Sequence, residues 1–441
     1  MNDFPIKKAV KAYAALETAR FHMPGHKGAL DPLDVTEVPG TDNLQKPAEA
    51  ILESERLAAE ALNAKDAFYL VNGSTVGDLA MLALLGSGKR VLLGRNCHKS
   101  VINGLTFADH TAFPLFPDEN GVYSAEEIDA RLTENPCEAV FITSPTYRGY
   151  VSPIDEIACV CHRHGALLLV DCAHGAHLSF SDQLPPVPVE ADLWVVSSHK
   201  TLEAMTQTAV LLVGESCPFS RGAIQRVLNM FQSTSPSYPL MLSIESSILG
   251  HANWDWHIAR IRDFIERLKT VNGIKLFGCD RWDHDITRVN IGLEGVTGYE
   301  LSRTLESMGI YPEMEDLECV TLITTPADKD EWYDRLIAAL NAIGPRDRVI
   351  YHTNVIKERI CGEQVVSIRN AVMGETENVG FMEAVGRVSA GTVGCYPPGI
   401  AILFPGERIS ERAIGLIDSE RFGGADIFGL DGGKIVVVKE D

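Results

Sequence analysis

Short apolar runs alternate with longer amphipathic stretches over the first half of the chain. Seven of these runs predict strands: Ala67–Val71, Arg90–Leu93, Thr111–Leu115, Ala139–Thr143, Ala166–Asp171, Leu193–Ser197 and Ala209–Val213. The segments between them have helical spacing. Strands separated by helices are typical of an α/β fold with a mainly parallel, doubly wound, seven-stranded sheet covered by helices on both faces. Such a sheet binds ligands beyond the carboxyl ends of its strands.

The flanking regions predict further elements. Residues 1–20 and 46–64 have helical patterns, and residues 21–45 between them are irregular and rich in Gly and Pro. Glu245–Val271 predicts one long amphipathic helix between domains. Beyond it the pattern restarts with Ile286–Ile291 (strand), Gly298–Met308 (helix), Val320–Ile323 (strand) and Lys329–Ile343 (helix). We therefore predict an N-terminal arm (1–45), a large domain (46–270) and a smaller C-terminal α/β domain (271–441).

Composition narrows the class of protein. A chain of 441 residues is too long for a single core. It contains no run of 18 apolar residues, so no membrane span or membrane partner is predicted. The start of the chain lacks a secretory pattern, and ten scattered cysteines lack paired metal spacing, so we expect thiols and a cytoplasmic location. The formal charge of −21 argues against nucleic acid as a partner.

Two of the predicted strands end in reactive groups. One ends at Asp171, and the other is followed by His199 and Lys200. Because the carboxyl ends of parallel strands meet at one edge of the sheet, an amine and a carboxylate are expected there. Pyridoxal 5'-phosphate (PLP) uses this pair. A lysine forms a Schiff base with its aldehyde, and a carboxylate keeps its pyridine nitrogen protonated so that the ring can accept electrons.

The stretch Val71–Asp78 follows a strand and opens a helix. Backbone N–H groups with the hydroxyls of Ser74 and Thr75 make an anion site suited to a phosphate, although Ser and Thr also serve as ordinary helix caps. The chain has no Gly-Lys-Ser/Thr here, which excludes an NTPase phosphate loop. The sequence alone does not decide whether Ser74 and Thr75 bind a phosphate or only cap the helix.

Histidines near the strand ends allow two interpretations each. His98 follows a strand and could lie flat on an aromatic cofactor or hydrogen-bond locally in its loop. His174 and His177 could join Asp171 in a metal site. Their spacing fits no common zinc pattern and a nearby lysine would repel the ion, so no metal is expected. The hydroxyl-rich loop around Ser233 is by default a turn.

Taken together, these blocks resemble the Orn/Lys/Arg decarboxylases. This family has the fold-type I, aspartate-aminotransferase-like PLP fold, and the chain resembles its short form without an N-terminal wing domain. The blocks that carry the resemblance run in family order: Phe21–Gly28, Asn72–Thr75, Arg95–Ser100, Ser144–Tyr147, Asp171–His177, Ser197–Leu202, Thr206–Gln207, Ser233–Tyr238 and Tyr396–Ile400.

The resemblance implies decarboxylation of an amino acid, foremost arginine, lysine or ornithine, in a homodimer or higher homo-oligomer with sites at the dimer interface. It implies that Lys200 binds the cofactor aldehyde, Asp171 the pyridine nitrogen and His98 the ring face. The remaining implied cofactor contacts are the phosphate ligands Ser74, Thr75 and Ser197, His199 at the phosphate end, Ala173 and His174 along the ring, and Ser233, Thr234 and Ser235 reaching the neighbour's phosphate. The segment with His22 and His26 is expected to close over the site.

Several positions depart from the family pattern, among them Cys172, Glu203 and Arg148. The last two put the charge preference of the substrate pocket in question. An acid for a cationic side chain could be Glu407 or a member of the Glu313–Asp316 cluster.

Other functions stay open on the sequence. One is another PLP reaction, such as transamination with Arg369 or Arg387 holding the α-carboxylate. Another is a non-catalytic PLP-binding homologue.

Overall fold

A seven-stranded sheet forms the centre of the computed structural model, which describes residues 4–348, 359–396 and 400–440. Its strands are β1 (Asp66–Leu70), β2 (Arg90–Gly94), β3 (Thr111–Leu115), β4 (Ala139–Thr143), β5 (Leu167–Asp171), β6 (Leu193–Val196) and β7 (Ala209–Val213). The order is β1-β7-β6-β5-β4-β2-β3. Only β7 runs against its neighbours. The α/β class and all seven predicted strands are confirmed, each within one residue.

Helices cover both faces of this sheet. The helices of this part of the chain are α1 (Pro5–Ala14), α2 (Ala50–Ala61), α3 (Ser74–Leu84), α4 (Lys99–Ala108), α5 (Ala125–Glu134), α6 (Ile154–Arg163), α7 (Ser198–Thr201), α8 (Arg221–Phe231), α9 (Tyr238–Leu249) and α10 (Trp254–Leu268), with a 3₁₀ turn at Leu178–Phe180. Along β1, Tyr69 packs into one core and Phe68 into another. This alternation is what a sheet buried on both faces requires.

The single helix predicted over Glu245–Val271 is wrong. The stretch is divided between α9 and α10. Gly250 lies at the C-terminal end of α9, and Asn253 begins α10 by accepting a hydrogen bond from Trp256 N at 3.0 Å. A glycine followed by an Asn cap is a strong stop-and-start signal, and it outweighs the continuous apolar pattern.

A second sheet follows α10. It contains β8 (Ile274–Phe277), β9 (Arg288–Leu293), β10 (Met314–Glu315) and β11 (Val320–Ile323), in the order β10-β11-β9-β8, with α11 (Gly298–Ser307) and α12 (Asp330–Ile343) packed on it. A separate apolar core lies between α10, this sheet and the two helices. The predicted strands and helices of this region are confirmed to within two residues.

The last part of the chain forms two small sheets around a fourth core. Its elements are α13 (Ile368–Met373), β12 (Thr376–Gly380), a 3₁₀ turn at Met382–Ala384, β13 (Val393–Tyr396), β14 (Ile400–Leu403), α14 (Glu411–Gly423), β15 (Asp426–Phe428), β16 (Leu430–Asp431) and β17 (Lys434–Val438). The turn Pro397-Pro398-Gly399 lies outside the described residues. The domain boundaries at 45/46 and 270/271 stay a prediction. Among the described helices, none has the length and apolar character needed to cross a membrane.

Candidate active site

Asp171 and Lys200 lie at the same edge of the large sheet, as predicted. Asp171 is the last residue of β5 and pairs with Val195 of the adjacent strand β6. Two residues after β6 the chain turns into α7, and Lys200 N donates to Ser197 O at 3.3 Å. The amine and the carboxylate therefore come from neighbouring parallel strands at their carboxyl ends.

The Lys200 amine lies in a pocket of rings. Its Nζ is 3.1 Å from His174 Nε2 and 5.5 Å from the centre of the Tyr147 ring. The Tyr147 and His174 rings are themselves 4.6 Å apart. Burial lowers the pKa of Lys200, with Asp171 opposing that shift. A buried amine with a lowered pKa is a better nucleophile at neutral pH than a surface lysine.

The Asp171 carboxylate is buried and fixed by its own backbone. Its Oδ1 accepts from Ala173 N at 3.0 Å. A second buried carboxylate is Asp78 of α3, and burial first and then the charge of Asp171 raise the pKa of Asp78 well above its ordinary value. Asp78 Oδ2 accepts from Ser100 Oγ at 2.6 Å. Two neighbouring buried carboxylates cannot both ionise easily, so the proton is kept on Asp78.

His98 begins α4 and accepts a hydrogen bond from Ser100 N at 3.3 Å. Its Nδ1 is 2.7 Å from Ser100 Oγ. Burial lowers the pKa of His98. His98 thus makes the local hydrogen bond considered for it, and a ring contact to the cofactor stays a prediction.

The anion site is built where α3 meets β6. Gly73, with φ of 76°, lets the chain enter α3 at Ser74, and first-turn N–H groups have no acceptors within a helix. Gly77 packs so closely on Val195 that a Cβ there would be 2.5 Å from its Cγ2. The helix N-terminus is therefore held against the end of β6, where Ser197 lies.

Three unpartnered hydroxyls follow the end of β6 and are donors of the kind that a phosphate needs. Ser197 Oγ, Ser198 Oγ and Thr201 Oγ1 are buried and have no hydrogen-bond partner within the described part of the chain. A buried hydroxyl without an acceptor is costly unless a ligand satisfies it. These donors, with the amine of Lys200 and the carboxylate of Asp171, are the groups that PLP requires.

The loop predicted to reach a neighbour's phosphate lies beside Asn72 of its own chain, at the start of the predicted anion site. Ser233 N donates to Asn72 Oδ1 at 3.2 Å, and Ser235 N donates to Ser233 Oγ at 3.2 Å. Ser233, Thr234 and Ser235 are exposed in the single chain. The loop thus contacts Asn72 through the backbone of Ser233, and a role across a dimer interface stays a prediction.

His199 has a fixed ring. Its Nδ1 is 2.8 Å from Thr208 O, and since a carbonyl can only accept, Nδ1 donates and Nε2 carries the lone pair. Burial lowers the pKa of His199.

His22 and His26, which were predicted to lie near the substrate, contact other residues of the N-terminal arm. His22 hydrogen-bonds Tyr13 and the carbonyl of Met23. His26 pairs with Asp34 at 3.0 Å. Their contacts within the chain thus hold the arm together, and closure over the site of another chain stays a prediction.

Glu407, the other predicted substrate residue, has a structural partner. Arg95 Nη1 donates to its Oε1 at 2.6 Å, and Phe404 N donates to its Oε2 at 3.1 Å. Arg95 and Glu407 are both buried. The carboxylate is therefore committed to joining the end of β2 to the C-terminal unit, a pairing that sequence distance concealed.

Arg148 is engaged away from the amine. Its Nε donates to Asp316 Oδ2 at 2.8 Å, and Nη1 donates to Glu318 Oε2 at 3.1 Å. The arginine thus neutralises part of the acidic Glu313–Asp316 cluster and its neighbour, leaving Glu313 as the member whose charge acts on Lys200.

The residues named for a metal site and for a transaminase carboxylate site have other partners in the structure. No cluster able to hold a metal occurs in residues 4–348, 359–396 and 400–440, and His177 pairs instead with Asp285 at 3.0 Å. Arg369 donates to Phe107 O at 2.9 Å, and Arg387 pairs with Glu377 and Glu440. These arginines are used in structural contacts remote in sequence from the strand ends that carry Asp171 and Lys200.

Two residues of the site were missed by the sequence analysis. Asp78 lies one helical turn after Ser74, a spacing that places both on one side of α3. Arg288 is the one charged residue of the predicted strand Ile286–Ile291, and it is buried against His174. A charged residue inside a buried strand was the available signal, but its partner, 114 residues away, could not be read from the chain.

Comparison with known proteins defines the class. The family model of the Orn/Lys/Arg decarboxylase major domain matches residues 29–286, and that of the C-terminal domain of the same family matches residues 360–419. The chain belongs to the Orn/Lys/Arg decarboxylase family. It is a PLP-dependent amino acid decarboxylase with the fold-type I architecture of that family.

Individual relatives agree with this family. The chain is 29% identical to the arginine decarboxylase of Bacillus subtilis over 480 residues, covering 99% of this chain and 98% of that protein. It is 31% identical to the uncharacterized protein YaaO of the same organism over 451 residues, 93% and 92% of the two chains. The solved structure of the Escherichia coli constitutive lysine decarboxylase superposes with a TM-score of 0.82 at 18% identity, over 99% of this chain and 82% of that one.

Proposed function

We propose that this enzyme removes the α-carboxylate of a basic amino acid, with arginine, lysine or ornithine as the substrate. The observation that carries the choice of a cationic side chain is the position of Glu313. Relatives that match almost the whole chain and are named arginine decarboxylases support the same class of substrate.

Glu313 lies immediately before β10 of the second sheet, and its N–H donates to Thr321 O of β11 at 3.0 Å. Its charge acts on three groups around the amine pocket: Lys200, His199 and Arg288. Its side chain is exposed in the single chain. A carboxylate whose charge acts on the reacting amine and that is open to solvent can attract an ammonium or guanidinium group.

We assign the cofactor contacts as follows. Lys200 is the attachment residue, Asp171 holds the pyridine nitrogen and His98 covers the ring. The anion site takes the phosphate through Ser74, Thr75 and Ser197. The buried carboxylate, the pocketed amine and the unpartnered hydroxyls support this assignment.

When bound, PLP supplies an electron sink for the pair left behind by departing CO2. Asp171 contributes a fixed negative charge that keeps a proton on the pyridine nitrogen. Lys200 would hold the cofactor through its amine, and as a free amine it could return a proton to the α-carbon. His199 Nε2 is the other candidate for that proton transfer, since its Nδ1 is occupied by Thr208 O. Tyr147 and His174 form an aromatic wall beside the amine and limit its contact with water.

We further propose a cytoplasmic homodimer in which Ser233–Ser235 and the segment with His22 and His26 complete the neighbour's site. The exposure of this serine-rich loop, which contacts Asn72, supports the first part. The ten cysteines, none of them in a disulfide, support a reducing compartment.

CO2 release from arginine, lysine, ornithine, leucine and glutamine, measured with PLP present, tests the substrate class. We expect release from at least one basic amino acid and at least tenfold slower release from the neutral ones. Faster release from a neutral amino acid would overturn the proposal.

The Glu313→Gln variant tests whether Glu313 selects a basic substrate. We expect KM for the basic substrate to rise about tenfold, the effect of losing one charged hydrogen bond of roughly 1.5 kcal/mol. Glu331→Gln, an equal charge change at an exposed position of α12, is the matched control and should leave KM unchanged.

A further inference from the structure

Arg288 is a fully buried cation at the start of β9, and it reaches across to the large sheet. Its Nη2 donates to His174 O at 3.2 Å and lies 3.3 Å from His174 Nδ1. His174 in turn places Nε2 3.1 Å from Lys200 Nζ. The second sheet is thus joined to the reacting amine through one imidazole.

The contacts determine where the protons are. A guanidinium can only donate, so Nδ1 of His174 must carry the lone pair. Burial first, with the charge of Arg288 in addition, lowers the pKa of His174 well below its ordinary value, so the ring is neutral. A neutral ring with a bare Nδ1 carries its proton on Nε2. That N–H points at Lys200 Nζ, which can accept it only as an uncharged amine.

The position of Arg288 is itself strongly constrained. Asp285 Oδ2 lies 3.9 Å from Arg288 Nη1 and 3.0 Å from His177 Nε2, and Asp285 Oδ1 accepts from Thr287 N at 2.9 Å. A buried cation is stable only beside such a fixed negative charge. On the other side Gly149, with φ of 95°, lies so close that a Cβ would be 2.7 Å from Arg288 Cβ.

We propose that Arg288 is a positioning residue that, by fixing the proton of His174 on Nε2, holds the Lys200 amine as the free base that binds PLP. The inference rests on the proposed assignment of Lys200 as the attachment residue. In the attachment step, Lys200 Nζ gives its lone pair to the aldehyde carbon and loses its two hydrogens with the aldehyde oxygen, which departs as water. The step needs no oxidant or reductant.

The titration of Lys200 depends on several charged or ionisable neighbours, and Arg288 is one of them. The groups that face it are Asp171, His174, Asp78, His98, His199, Tyr147, Glu313 and Arg288. Burial first, and the charge of Arg288 with it, lower the pKa of Lys200, whereas Asp171 and Glu313 raise it. Removing the guanidinium charge should therefore raise that pKa.

The rate of PLP attachment to the apoenzyme, measured against pH, tests the proposal without reference to decarboxylation. Attachment is followed by absorbance and located by borohydride trapping and peptide mapping. For Arg288→Met we expect the midpoint of the pH–rate profile to rise by about one unit and the rate at pH 7 to fall about tenfold. Arg288→Lys, which keeps the charge but has one nitrogen for two acceptors, should shift it by less.

Arg260→Met is the matched control. Arg260 is another largely buried arginine, which donates to Asp328 O at 3.1 Å and Tyr333 OH at 3.0 Å, away from His174. The pH–rate profile of PLP attachment to Arg260→Met should have the same midpoint as that of the wild type. An unchanged midpoint in folded Arg288→Met protein would overturn the proposal. Trapping at a lysine other than Lys200 in the wild type would instead overturn the proposed site assignment.

A measurement on the wild-type apoenzyme covers the case in which Arg288→Met does not fold. Nitrogen-15 NMR of labelled histidines, with His174→Gln used to assign the signal, reports which ring nitrogen carries the proton. We expect a bare Nδ1 and a protonated Nε2 at neutral pH. A proton on Nδ1 would contradict the proposal.

Discussion

Arg95 at the end of β2 and Glu407 near the C-terminus form a buried ion pair, with Nη1 and Oε1 2.6 Å apart. The Arg95 guanidinium also lies 3.6 Å from the centre of the Phe404 ring. The pair therefore fastens the C-terminal unit to the large sheet. A carboxylate in this position has its charge already neutralised and is poorly placed to attract a substrate.

Replacing Glu407 with Gln should affect stability rather than substrate choice. Breaking a buried pair leaves an uncompensated charge and costs about 3 kcal/mol, which urea unfolding would measure. Glu363→Gln, at an exposed pair with Arg408, should cost less than about 0.5 kcal/mol. If Glu407→Gln changes the ratio of kcat/KM between basic and neutral substrates by tenfold or more, Glu407 does contact substrate.

Replacing Ser197 with Ala should weaken PLP binding without harming the fold. The hydroxyl is buried with no protein partner in the described residues, so its loss removes a phosphate donor and nothing else. We expect the dissociation constant for PLP to rise about tenfold, and the unfolding midpoint of the apoenzyme to stay the same or rise slightly. Ser389→Ala, which removes a buried hydroxyl that donates to Gly391 O, should lower stability but leave PLP affinity intact.

Glu55 on α2 should make stability depend on pH. It shares the guanidinium of Arg221 with Asp66, and burial raises its pKa to about 7. The folded state therefore binds a proton that the unfolded state has lost between pH 4.5 and 7. The contribution is complete below pH 4.5 and is lost as pH rises through 7.

The Glu55→Gln variant should lack this dependence. Relative to the variant, the wild type should lose about 3 kcal/mol of unfolding free energy between pH 4 and pH 8, at 1.36 kcal/mol per unit of pKa shift. Urea titrations across that range measure the difference. The exposed neighbour Glu60 on the same helix provides the control variant, Glu60→Gln. Parallel curves for the wild type and Glu55→Gln would show that the proton is not held there.

Replacing Gly149 with Ala should disturb Arg288 from the opposite side. The backbone φ of 95° is strained for any residue with a Cβ, and that Cβ would also meet Arg288 Cβ at 2.7 Å and Asp285 O at 3.3 Å. Gly165→Ala is a matched control, because its φ of 70° is strained but its Cβ would meet nothing within 4 Å. The Gly165→Ala control should lower the free energy of unfolding by about 1 kcal/mol, and Gly149→Ala should lower it by at least twice as much. Gly149→Ala should also slow PLP attachment. Equal costs in urea unfolding would contradict the proposed crowding.

The sequence predicted what short-range patterns determine. Strand ends follow local apolar runs, so Asp171 and Lys200 were placed correctly at one edge of the sheet. The break at Gly250–Asn253 was also encoded locally but was outweighed by the apolar periodicity around it. Contacts between distant segments were beyond reach. Neither the pairing of Arg95 with Glu407 nor that of Arg288 with His174 leaves a spacing signal, because each depends on how separate cores dock.

The second sheet delivers both Arg288 and Glu313 to the neighbourhood of Lys200, although it is built on a core of its own. The second sheet therefore influences both the ionisation of the Lys200 amine and the proposed attraction of a cationic substrate side chain. Exchanging this sheet between relatives would transfer both properties together. A change in how the second sheet packs against the large sheet would move both residues at once. The two properties of the site therefore change with the second sheet as a whole rather than with either residue alone.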